Sequence, residues 1–85
     1  MDEWIDDFGV KYDYNKRLLL RAPTNIELYT IPMGVKRIRD SAFMGCYNLK
    51  RITIPNSIED IGASAFEGCE SLVSITIPEK VTIIH

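Results

Sequence analysis

The chain has one histidine, His85, and two cysteines, Cys46 and Cys69. The cysteines form no CxxC pair and have no other soft ligand in step with them. A zinc site therefore has no ligand set. P-loop, GxGxxG and HExxH patterns are absent, which leaves phosphate-cradling and zinc-hydrolase chemistry without a motif. Apolar runs fall well short of the roughly 18 residues of a membrane-spanning helix. No basic n-region and apolar h-region open the chain, so a signal peptide is not indicated. Charge of one sign is lacking too: 10 Lys and Arg stand against 12 Asp and Glu, for a net −2 and a pI near 5.3. That balance argues against nucleic acid as a partner. Leucine is scarce, half as frequent as isoleucine, and the excess of β-branched side chains leans towards strands.

What is present is one small domain's worth of chain. Its 85 residues are 46% hydrophobic and 26% charged, ordinary globular values that exclude disorder. A chain this short buries only about 60–65% of its unfolded surface. It must spend its isoleucines efficiently or borrow surface from a neighbour.

The organising feature is an internal repeat. Ile31-Pro32 recurs as Ile54-Pro55 and again as Ile77-Pro78, at one constant step. SAFMGCYNLKRITIP from Ser41 returns as SAFEGCESLVSITIP from Ser64, at the same step. Positions 33–55 and 56–78 agree at 11 of 23 places, among them Ala42/Ala65, Phe43/Phe66, Cys46/Cys69, Leu49/Leu72 and Ile54/Ile77. The register extends back to Ile26, Tyr29, Thr30 and Ile31, and forward to Val81 and Ile84.

Within each unit LxxIxIP reads as a short strand, with Ile52 and Ile54 inward and Thr53 outward. Pro55 ends it, because proline cannot donate to a ladder. Ile58 and Ile61 form a second inward series on the opposite wall. Gly62 is expected to loosen the backbone there. Ala65-Phe66 should make a helical or 3₁₀ turn, with Gly68 breaking out of it. One unit is thus one coil of a solenoid, and stacked coils form continuous columns about 4.8 Å apart. Outer columns pair charges: Lys36 should face Glu59, and Arg37 should face Asp60.

Residues 1–25 stand outside the repeat. Tyr12 to Leu20 can form a hairpin turning at Asn15-Lys16, acting as a cap over the first coil. Asp2, Glu3, Asp6 and Asp7 surround Trp4 and Ile5, with Phe8 at i+4 from Trp4; this segment is expected to form a frayed or cap-packed helical turn, the alternative being an acidic-aromatic helix that binds a partner.

The pattern IxxIxxxAFxxCxxLxxIxIP resembles the BspA-type, or treponemal, leucine-rich repeat over roughly residues 26–85. YDYNKRLLLRAPTNIELYTIP is similar to the lead-in hairpin placed before such a block. The resemblance implies a curved solenoid with its LxxIxIP strands in one sheet. It also implies an adhesin-like role in bacterial surface or secreted proteins, exercised by binding other proteins. The resulting fold class is a β-rich α/β solenoid, a short right-handed leucine-rich-repeat coil with an N-terminal hairpin cap. Its parts are 1–25, acidic segment and hairpin, and 26–85, about two and a half repeats.

Chemistry finds little footing. Cys46 and Cys69 share a column, at a spacing of about 4.8 Å that a disulfide could span. A ladder of buried thiols is the preferred reading, because the residue serves as a small hydrophobe in each coil. His85 has nothing to orient it as a partner for a nucleophile. Lys36, Arg37, Arg39, Lys50 and Arg51 could suggest a phosphate surface, but Glu59, Asp60, Glu67 and Glu70 intersperse them in the next coil. No cofactor and no enzymatic activity are expected.

Binding is expected on the exposed strand column: Leu28, Thr30, Lys50, Arg51, Thr53, Ser74 and Thr76. The partner is a protein that the sequence does not identify; nucleic acid and membrane insertion are not expected. The alternative is a structural unit, or a piece of a longer repeat protein. Homo-oligomerisation, most simply as a two-fold dimer, is expected through an open C-terminal edge formed by Ile75, Ile77, Val81 and Ile84. A complete chain would be cytoplasmic, and a piece of a typical family member would be cell-surface or secreted.

Overall fold

Each full unit delivers two short strands, and the two go to different sheets. The computed structural model describes residues 3–76 and the strand at 83–84. The strands are β1 (Glu3–Ile5), β2 (Lys11–Asp13), β3 (Leu18–Arg21), β4 (Leu28–Thr30), β5 (Arg37–Ile38), β6 (Arg51–Thr53), β7 (Asp60–Ile61), β8 (Ser74–Thr76) and β9 (Ile83–Ile84). The LxxIxIP strands make a three-stranded parallel sheet, β4-β6-β8. The opposite wall is a six-stranded sheet, β1-β2-β3-β5-β7-β9.

The register is the repeat made visible. Tyr29, Ile52 and Ile75 are successive partners in one sheet, and Ile38, Ile61 and Ile84 in the other. Between the walls lies a core of Val35, Phe43, Leu49, Ile54 and Ile58, with Phe66, Cys69 and Leu72 packed against it. The expected outer pairs are also found. Lys36 Nζ lies 3.9 Å from Glu59 Oε2, and Arg37 is the β-partner of Asp60.

The α component of the expected fold is not found: among the described residues no segment is helical. The reason lies in where the amides go. Ser41, Phe43 and Gly45 donate to the carbonyls of Ala63, Ala65 and Glu67 in the next coil. The amides between them, Ala42, Met44 and Cys46, close turns onto residues three places back. Every second donor is thus spent between coils, and a helix cannot propagate. The segment around Ala65-Phe66 is a run of such turns. Gly45 and Gly68 leave it at φ +78° and +79°, a conformation that glycine adopts without strain.

Gly62 also differs from expectation. A Cβ there would stand 2.4 Å from the amide nitrogen of Asp40. The position is a place of close approach between coils rather than a loose joint.

The hairpin forms where expected. Lys16 takes φ +60° at the turn, and Asp13 Oδ1 accepts from the amides of Arg17 and Leu18. Its second strand, β3, then pairs parallel with β5, so the hairpin continues the solenoid wall. The acidic segment is not a helical turn. Glu3–Ile5 is a strand paired antiparallel with β2, because Trp4 settles opposite Tyr12 with ring centroids 5.6 Å apart.

Candidate functional site

Thr and Ile alternate in the LxxIxIP strands, and the pleat sends them to opposite sides. Ile52 is buried while Arg51 and Thr53 are exposed. Parallel pairing then aligns the outward residues into two rows: Leu28–Arg51–Ser74 and Thr30–Thr53–Thr76. The ladder reaches one residue further back, where the amide of Lys50 donates to Glu27 and that of Val73 to Lys50. Lys50 is exposed beside the first row. All seven expected face residues therefore come together on one sheet. Leu28, Thr30, Lys50, Arg51, Thr53 and Ser74 are exposed, while Thr76 is described in its backbone alone.

The face offers an apolar side chain, two cations and a column of hydroxyls. Among the described residues no hydrogen bond ties these side chains to a base that would activate an oxygen. Among the described residues no group of His, Cys, Asp or Glu could hold a metal ion.

The four residues expected at the self-association edge are described only in part. Ile75 is 38% exposed, although its column mates Tyr29 and Ile52 are 6% and 3% exposed. Ile84 lies in β9, the last strand of its sheet. Ile77 and Val81 lie outside the described residues, as does His85. The five cations weighed as a phosphate surface do not form one patch. Arg37 lies in β5 with Lys36 and Arg39 beside it, while Arg51 lies in β6, in the other sheet, with Lys50 before it.

The cysteine column consists of two free thiols. Cys46 Sγ donates to the carbonyl of Pro23 at 3.4 Å, and Cys69 Sγ to that of Phe43 at 3.2 Å. Each thiol reaches back towards the preceding coil. Burial pushes Cys46 up to about 11; Cys69 adds to the shift and Arg21 opposes it. Burial raises Cys69 as well. These thiols are poor nucleophiles.

Sequence reasoning missed a polar network under the cap. Tyr29 donates its hydroxyl proton to Asp6 Oδ2 and accepts from the hydroxyl of Tyr12. Asp6 Oδ1 accepts from the amides of Phe8 and Val10, each at 2.9 Å. Burial pushes Tyr12 up to about 12. Burial and the bond to Asp6 raise Tyr29 further. The available signal was Tyr29 itself, a polar ring in a column that is otherwise isoleucine.

The family model described as BspA type leucine rich repeat region (6 copies) matches residues 21–85. The chain belongs to this family. Three solved structures share its fold. The pneumococcal vaccine antigen PcpA aligns with a TM-score of 0.87 and 26% identity, over 94% of this chain and 20% of its own. A leucine-rich repeat protein of T. pallidum gives 0.71 and 25%, over 95% and 38%. One from Bacteroides ovatus gives 0.64 and 28%, over 95% and 23%. The chain thus spans between about a fifth and two fifths of the length of these relatives. No curated protein matches it.

Proposed function

We propose that the chain is a non-catalytic recognition module that binds a protein through the β4-β6-β8 face. The observation that carries this reading is the pair of outward rows, Leu28–Arg51–Ser74 and Thr30–Thr53–Thr76, held in register by parallel pairing. A repeat solenoid supplies a rigid, graded surface of this kind, and such surfaces serve recognition across repeat families. Membership of the BspA type family supports the reading. An adhesin-like role at a cell surface and a right-handed coil belong to this reading through the family resemblance alone. The test is affinity capture from the native source with the intact chain and with a Lys50→Glu, Arg51→Glu variant. A recognition face loses its partner in the variant while the fold survives. Equal capture by both proteins sinks the proposal.

A second reading, self-association, is favoured by Ile75. Its exposure contrasts with the burial of Ile52 one coil earlier. A covering β-strand at β8 would complete that column. Sedimentation of the chain and of Ile75→Lys separates the two readings. Self-association predicts an oligomer that the lysine disperses, while the Lys50 and Arg51 changes leave it intact.

A further inference from the structure

Lys11 and Arg21 stand opposite each other across the antiparallel β2–β3 pair. Like charges so placed repel and cost stability. The next pair is Tyr12 with Leu19, so β3 carries one extra residue, Leu20, at this step. Strict alternation from buried Leu19 would turn Arg21 inward. The bulge turns it out instead, and Arg21 is exposed. Leu20, Arg21, Lys11 and Arg39 consequently line one groove on the outer side of the six-stranded sheet.

Further along the same face, Leu18 lines a second groove with Arg17, Lys36 and Arg37. Two half-buried leucines on β3 are thus flanked by cations from neighbouring segments. Among the described residues Lys36 has its ion pair with Glu59, whereas Lys11, Arg21 and Arg39 have none. Glu3 and Asp40 also line the first groove, where three cations outnumber two carboxylates, and Asp40 Oδ1 is engaged by the amide of Ala63 at 2.8 Å.

We propose that this outer face, centred on Leu20 between Lys11, Arg21 and Arg39, binds an extended acidic peptide of a partner protein. Its carboxylates meet the three cations, and its apolar side chains cover Leu18 and Leu20. The site lies on the opposite wall from the β4-β6-β8 face and is independent of it. A local arrangement that costs stability without structural return marks a functional position. The leucines select a peptide over a polyanion, because a sulfated glycan or nucleic acid brings no apolar side chain to them. Glu3 and Asp40 on the first groove, and Asp13 and Glu59 on the second, repel a continuous line of charge. A peptide with separated carboxylates avoids them.

The experiment uses a fluorescent peptide alternating Asp or Glu with Leu, its Asn and Gln counterpart, and heparin, each titrated by anisotropy at low and raised salt. The acidic peptide should bind, weaken with salt and exceed both competitors. Arg21→Gln with Arg39→Gln should weaken it by about tenfold or more, as lost charge-assisted hydrogen bonds do. Leu20→Ser should weaken the peptide and leave heparin unchanged. Lys11→Gln should lower affinity and raise Tm, because it removes the cross-strand repulsion. Arg51→Glu, on the other sheet, should leave binding unchanged. Any one of these results would overturn the proposal: equal binding of the amide peptide, tighter binding of heparin, a lowered Tm in Lys11→Gln, or loss of binding in Arg51→Glu.

Discussion

The ring of Phe43 lies on the ring of Phe66, with centroids 5.2 Å apart and planes inclined by 18°. The series extends towards the cap, to Tyr29 at 6.3 Å from Phe43 and to Phe8 at 5.7 Å from Tyr29. Four rings thus run from the N-terminal segment into the second full coil. Phe43 is wholly buried and Phe66 only half-buried. Phe43→Ala should cost about 3–5 kcal/mol, the usual penalty for emptying a buried ring site. Phe66→Ala should cost about half as much. Urea unfolding of the two variants checks the order; a Phe66 loss as large as that of Phe43 would contradict it.

The tyrosine network predicts alkaline instability. Tyr12 keeps its proton up to about 12 in the folded chain, against an ordinary value of 10.0, and Tyr29 is raised too. A group raised in this way contributes stability that is whole below its ordinary value and is lost as pH rises through the folded one. Unfolding should therefore set in above about pH 10 and be advanced by pH 12. Tyrosinate absorbance and backbone circular dichroism should change together. At neutral pH, Tyr29→Phe should cost about 1–3 kcal/mol, because the Tyr12 hydroxyl loses its acceptor and Asp6 Oδ2 its donor.

The columns were legible because a repeat of constant length converts sequence spacing into spatial neighbourhood. Phe43 over Phe66 and Lys36 beside Glu59 need no more than that rule. What lay outside it had other causes. Trp4 and Phe8 have helical spacing, and a strand as short as Glu3–Ile5 cannot display alternation. The turns around Phe66 look helical one unit at a time; their amides are diverted only once a neighbouring coil is present. The β4-β6-β8 face was readable from strand polarity. The groove around Leu20 was not, because it depends on a bulge where a hairpin meets the first coil.

The thiol column predicts slow chemistry. Cys46 is buried and raised to about 11, and Cys69 is half-buried and raised. Alkylation near neutral pH should be slow at both, and faster at Cys69. Urea should bring both to the rate of a free thiol. Mass spectrometry of timed digests reads the order. A fast-reacting Cys46 in the native protein, or a disulfide in the absence of reductant, would contradict the hydrogen bonds to Pro23 and Phe43.

Gly62 offers the sharpest test of how closely the coils approach. Its amide donates to Ile38 at 2.8 Å, and the next amide, Ala63, donates to Asp40 Oδ1 at 2.8 Å. A Cβ at residue 62 would meet Asp40 N and Oδ1 at 2.4 Å and the carbonyl carbon of Arg39 at 2.8 Å. Two of those three atoms are backbone and cannot swing away. Gly62→Ala should therefore cost about 1–3 kcal/mol through forced displacement of the coils. Adding Asp40→Ala removes the carboxylate oxygen and leaves the amide nitrogen in place, so it should not restore stability. Thermal melting of the single and double variants decides the matter. A Gly62→Ala protein that melts like the parent would mean the coils can part without loss, and that the contact at Asp40 does not hold them.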